Sequence, residues 1–139
     1  MNPSLVVDSS MTVAWCFKEE RTPATDAIQD RLVVEEALVP EHWFLEVANA
    51  LLVGERRKRI KAADVSQFLR ELNNLLIRVD DQLPMRAFDH ILPLSRTHAL
   101  TTYDAAYLDL ALRRQLPLAS LDYDLRRAAT ALGVQVLGK

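Results

Sequence analysis

Glycine is scarce in this chain, with three in 139 residues. That leaves no material for a glycine-rich phosphate loop, and neither a GxGxxG nor a Walker pattern occurs. Cysteine occurs once, as Cys16. A lone cysteine forms no internal disulfide and no cysteine-based zinc site, and its rarity suits a reducing compartment. Positive charge is not in excess, for the formal net charge is −2. A globally basic nucleic-acid surface is thereby excluded, though a local basic patch is not. No uncharged apolar run approaches the ~20 residues that span a bilayer. The N-terminus shows no basic segment followed by an apolar core, so no signal peptide is expected. These absences lead to the expectation of a cytoplasmic, non-membrane protein. Its length suits one domain with a substantial core.

What is present is an alternation of short apolar runs and longer helical patterns. Leu5–Val7 reads as a buried strand, residues 11–17 as a short helix, and Thr22-Pro23 as the start of a helix reaching about Glu36. "ALVP" (37–40) reads as a strand, followed by helices over 41–59 and 62–76. "LIRV" (76–79), "LPLASL" (116–121) and "VQVL" (134–137) read as further strands. Helices are expected over 84–97, 101–115 and 122–132 between and around them. Strands separated by helices imply crossover connections and a mainly parallel sheet. Ligands of such sheets lie beyond the carboxyl ends of the strands. The residues that follow each strand are therefore the ones to inspect.

Acidic residues stand at those positions. Asp8 directly follows the first strand, and Asp122 directly follows "LASL". Asp104 falls in the first turn of the 101–115 helix, and Glu46 is the only charge in "WFLEVANALLV". Taken singly, Asp8 and Asp122 fit helix N-caps as well as ligands. Thr101 to Asp104 likewise resembles a capping box with Asp in the usual Glu position. Glu46 shares a helix side with Asn49, Ala50 and Val53, where a carboxylate needs a cation, a hydrogen bond or a proton. Carboxylates gathered at one sheet edge repel, and a divalent cation offsets that repulsion. The histidines His42, His90 and His98 show no zinc spacing. An all-oxygen site suits Mg²⁺ or Mn²⁺, and such ions support phosphodiester hydrolysis.

In this order and with these flanks, the acids resemble those of PIN-domain ribonucleases, most closely the VapC-type toxins of toxin–antitoxin pairs. "LVVDSSMTVAWCF" is similar to the family's opening strand and first acid, and "VPEHWFLEVANALL" to its glutamate helix. "LTTYDAAYLDLALRRQLPLASLDYDLRRAA" resembles its C-terminal signature. The resemblance covers nearly the whole chain, residues 1–139 as a single PIN domain. It implies an α/β fold, a three-layer α/β/α sandwich around a mainly parallel sheet of about four to five strands. It further implies Asp8, Glu46, Asp104 and Asp122 as catalytic metal ligands for Mg²⁺ or Mn²⁺, with Ser9, Asn49 and Ser120 in support. The implied activity is hydrolysis of RNA phosphodiester bonds by metal-activated water. The implied partners are an RNA substrate, a second copy in a homodimer, and a small VapB-like antitoxin. The alternative is a catalytically inert PIN-like binding module whose acids are helix caps.

Other charges admit simpler readings. "ERRKRIK" (55–61) suits a helix C-terminus, where cations oppose the macrodipole, as well as it suits RNA phosphates. Asp109 lies about 140° around the helix from Asp104 and is expected at the surface or an interface. Ser9 or Ser10 is expected to cap the first helix, leaving Asp8 free to face a cation. Asp80-Asp81 after "LIRV" invites comparison with response-regulator receivers and haloacid-dehalogenase-like phosphatases. The receiver's lysine and the phosphatase's DxD are both missing.

Overall fold

Apolar runs without alternation belong to strands buried on both faces; three such runs form the centre of one five-stranded, all-parallel sheet, with half-exposed strands at its edges. The structure is a computed structural model and describes residues 2–139. The strands are β1 (Pro3–Val7), β2 (Glu36–Pro40), β3 (Ile77–Asp80), β4 (Leu118–Ala119) and β5 (Val136–Leu137), in the spatial order β3-β2-β1-β4-β5. Helices flank the sheet: α1 (Ser9–Ala14), α2 (Pro23–Arg31), α3 (Trp43–Arg56), α4 (Ala62–Leu72), α5 (Leu83–Arg86), α6 (Leu92–His98), α7 (Thr102–Arg114) and α8 (Tyr123–Ala131). The expected α/β fold with a mainly parallel sheet is the one observed.

The central strand β1 is the first in sequence. Its Val6 pairs with Leu38 of β2 and with Leu118 of β4. Leu5, Val6 and Val7 are completely buried, as are Val39, Leu118 and Ala119. The chain builds outward from β1 to β2 and β3, then returns to place β4 on the other side. The strand order thus reverses between β1 and β4, the position where open α/β sheets hold their ligands. Asp8 leaves β1 at this point, and its backbone N–H still bonds the Ala119 carbonyl at 3.1 Å.

Several local expectations change. Thr22 does open α2, through reciprocal capping bonds with Thr25 of 2.9 and 3.1 Å. That helix ends at Arg31 and not near Glu36, because residues 32–34 form turns that leave Val33 and Val34 exposed. The 84–97 stretch is not one helix. A π-helical segment, Ala87–Ile91, separates α5 from α6. The strand expected over 116–121 shrinks to Leu118–Ala119, because Pro117 has no N–H and Ser120 turns its side chain to other work. Helix α3 approaches the chain after α1 closely. A Cβ on Gly54 would stand 2.6 Å from the Phe17 ring.

Asp109 is not a surface residue. It is buried, and Arg86 grips it in a bidentate pair at 2.7 and 2.9 Å. The helical wheel placed it away from Asp104 but could not show that α5 would cover it. Removing one partner strands the other charge, which typically costs ~3–5 kcal/mol. Arg86→Leu should therefore shift the urea midpoint sharply downward. The double variant Arg86→Leu/Asp109→Leu should recover most of that loss.

Candidate active site

Asp8 is 2% exposed, and both oxygens of its carboxylate accept hydrogen bonds. One oxygen accepts the Met11 N–H at 2.9 Å and so caps α1. Ser10 donates to both oxygens at 2.7 and 2.9 Å, and Ser120 donates to the second at 2.5 Å. Of the two caps open to the sequence, Asp8 or one of the serines, the structure takes Asp8. The carboxylate itself makes the cap, and the Ser10 hydroxyl orients it. Thr12 carries this arrangement further. Its hydroxyl donates to the Asp8 carbonyl at 2.9 Å and accepts from the Trp43 indole at 3.0 Å, fixing α3 against α1.

Ser120 serves both strand ends. Besides donating to Asp8, its oxygen accepts the Asp122 N–H at 3.0 Å. Asp122 caps α8, accepting from Leu125 at 2.8 Å. Ser10 reaches across to the same turn by accepting the Leu121 N–H at 2.9 Å. Arg126 closes the back of this corner through the Ser120 and Leu137 carbonyls, at 2.8 and 2.9 Å.

Asp104 differs from these acids. Thr101 caps α7 by accepting the Asp104 N–H at 3.1 Å, so only half of the expected capping box forms. Among the described residues, no donor engages the Asp104 carboxylate. Burial raises its pKa to about 6, and the charges of Asp122, Asp8, Glu46 and Asp124 push in the same direction. Asp8 is also raised to about 6, by burial foremost and by Asp122, against the lowering effect of its hydrogen bonds. The acids singled out in the sequence thus act on one another through a shared field, and Asp124 joins them.

Glu46 is partly shielded. Tyr107 donates to it at 2.6 Å, and the His42 imidazole lies 3.5 Å away. The phenol is held neutral, its pKa raised by burial and by this carboxylate. His42 Nε2 donates to the Tyr103 carbonyl at 2.9 Å, which leaves Nδ1 buried and unpartnered. Tyr107, His42 and Ser10 were not singled out from the sequence. Spacing carried a signal for two of them, because Tyr107 is one turn beyond Asp104 and His42 one turn before Glu46. Of the supporting residues, Ser120 is buried at the centre and Ser9 lies beside the Tyr107 hydroxyl. Asn49 is exposed one turn beyond Glu46.

The donor set is hard oxygen throughout. Among the described residues, no three Asp, Glu, His or Cys side chains stand at the spacing that encloses an ion. By donor chemistry, carboxylate oxygens suit Mg²⁺, which keeps several waters and takes one or two carboxylates. Some of the basic residues are occupied elsewhere. Arg59 pairs with Glu19 and Glu20, Arg113 with Asp80 at 2.7 Å, and Arg127 with the His98 carbonyl.

Comparison with known proteins agrees with this architecture. The crystal structure of PAE2754 from Pyrobaculum aerophilum superposes with a TM-score of 0.71, covering 96% of this chain and 83% of that one at 24% identity. At that identity the likeness concerns the fold alone. No curated protein matches the sequence. Among the described residues, no helix is long and apolar enough to cross a membrane. The family model of the PIN domain matches residues 5–131, and the chain belongs to that family.

Proposed function

We propose that the chain is a divalent-metal-dependent ribonuclease of the toxin–antitoxin type, with Asp8, Glu46, Asp104 and Asp122 as its catalytic carboxylates. PIN domains are in general metal-dependent nucleases, and this fold is of the nuclease type. The observation that carries the reading is Asp104. It caps nothing, accepts no hydrogen bond among the described residues, and faces the charges of Asp122, Asp8 and Glu46. A carboxylate held against such repulsion has a role that helix capping does not supply.

When bound, Mg²⁺ or Mn²⁺ would activate water and offset charge on the phosphorus. The chain's own residues prepare the place. Asp8 is locked by Ser10, Ser120 and the Met11 N–H, so its position is set before substrate arrives. Tyr107 fixes the Glu46 carboxylate as a neutral donor. Asp104 is left with open lone pairs toward the cation.

The inert-module reading has one observation in its favour, since Asp8 and Asp122 do cap α1 and α8. Capping and ligation use different lone pairs of the same carboxylate, so the caps do not displace the metal role. Incubating the purified chain with total RNA in Mn²⁺ or in EDTA separates the two readings. Divalent-dependent cleavage supports the nuclease, and intact RNA in both supports the inert module. The toxin role is tested by inducing the gene with and without its neighbour. New RNA ends and growth arrest that the neighbour suppresses are the expected result. Tyr107→Phe removes the 2.6 Å bond to Glu46. It should weaken Mn²⁺ affinity by about 10-fold, read by calorimetric titration, as loss of an orienting partner typically does.

A further inference from the structure

Beside the acid cluster lies an apolar pocket of about 300 Å³, lined by His42, Leu83, Phe88, Ile91, Tyr103 and Ala106 among others. It shares residues with the site already described. His42 is the imidazole 3.5 Å from Glu46, and Tyr103 immediately precedes Asp104. The Phe88 ring is 81% exposed and the Tyr103 ring 61%. The His42 and Tyr103 rings stand 5.9 Å apart at 40°, forming a tilted wall. Phe88 projects from the π-helical segment Ala87–Ile91, and such segments cluster at functional sites. No Lys, Arg, Asp or Glu lines the pocket.

We infer that this pocket is a nucleobase subsite, which stacks one base of a single-stranded RNA next to the phosphate presented to the acids. The inference rests on the nuclease reading and names what holds the substrate. Four features select a base over other occupants. The pocket has the volume for one flat ring system, three of its nine lining residues are aromatic, it lacks charge, and His42 and Tyr103 join it to Glu46 and Asp104. Stacking on aromatic rings needs no particular base, because every base has a π-face. It also supplies affinity that does not depend on phosphate contacts, in a chain whose net charge is −2.

The probe is a single-stranded RNA hexamer with an internal 2-aminopurine, titrated into the full chain with Ca²⁺ in place of Mn²⁺. Stacking should quench its fluorescence. Phe88→Ala and Tyr103→Ala should each weaken binding about 5–100-fold, the range for loss of one base stack. Tyr103→Phe should bind as wild type. Both rings are exposed, so neither variant threatens the core, and the Mn²⁺-induced rise in Tm should persist in both. No quenching by the wild type, or quenching by both alanine variants as strong as the wild type's, overturns the subsite. Sedimentation equilibrium on the same samples adds a further check. If Phe88→Ala turns a dimer into a monomer with quenching unchanged, a second copy covers the pocket and the subsite is wrong. The nuclease reading fails or survives separately. Cleavage by wild type and both variants alike retains the nuclease without the subsite. Ring-dependent quenching without cleavage retains the subsite without the nuclease.

Discussion

Asp104→Asn is expected to reduce divalent-dependent RNA cleavage by on the order of 10²–10³-fold while leaving the chain folded. Metal-centred stabilisation of developing charge is worth several kcal/mol, and each ~1.4 kcal/mol is tenfold in rate. Asp104 is the cleanest acid to remove, because Thr101 and not Asp104 caps α7. Its loss should even stabilise the metal-free chain by about 1 kcal/mol at neutral pH, once solvent screening is allowed for, by removing a charge that burial penalises most and that Asp122, Asp8 and Glu46 also repel. Asp8→Asn should lose comparable activity, but its folding effect is mixed. The amide oxygen still accepts from the Met11 N–H and the Ser10 hydroxyl, while Ser120, facing the new NH₂, must turn its hydroxyl to accept. Rates on a defined RNA, with Tm measured on the same samples in EDTA, give both quantities. An Asp104→Asn variant that cleaves like the wild type would remove the basis of the proposed mechanism.

The second large effect is a stability that depends jointly on pH and metal. The carboxyls of Asp8 and Asp104 are raised from 3.8 to about 6 in the folded chain. The folded state therefore holds protons that the unfolded chain releases. That contribution to stability is complete below pH ~4 and is lost as pH rises through about 6. A carboxylate held low by an arginine, such as Glu35 beside Arg31, acts in the opposite sense at lower pH, so the prediction concerns the window between about 4 and 7. A divalent cation competes with those protons. Mn²⁺ should shift Tm little at pH 5 and strongly at pH 8. A hundredfold excess over Kd gives ~2.7 kcal/mol, or roughly 10 °C for a chain of this size. In Asp104→Asn most of the metal shift should vanish. Thermal scans at pH 5, 6.5 and 8, each with EDTA or Mn²⁺, decide it. A metal shift of equal size at every pH would detach the cation from these two carboxyls.

The order of strands and helices was legible because parallel strands buried on both faces write themselves as short apolar runs. Leu5–Val7 and Val39 are such residues, and they lie in the core. The strand-following positions were legible for the same reason. They located Asp8 and Asp122 at the reversal of strand order without any coordinates. What stayed hidden depends on contacts between distant residues. Nothing local to Asp109 tells of Arg86, 23 residues earlier. Nothing in "DSS" decides whether the carboxylate or a hydroxyl caps α1, because both are good caps. The answer comes from Ser120, 112 residues away, which holds the Asp8 carboxylate in place. The end of α2 was blurred by Val33 and Val34, apolar residues that extend the helical pattern yet remain in solvent.

The placement of the first strand in the middle of the sheet also bears on how the protein is made. Residues 3–7 leave the ribosome early, but one of their two neighbours, β4, is synthesised more than a hundred residues later. At ~5–20 residues per second, β1 waits several seconds with one edge unpaired. Throughout that interval Asp8 lacks Ser120, Asp104 lacks the field of Asp122, and α8 does not exist. A nascent chain therefore carries no assembled acid cluster until its last helix emerges. A ribosome stalled anywhere before residue 120 yields a product in which the acids are not brought together.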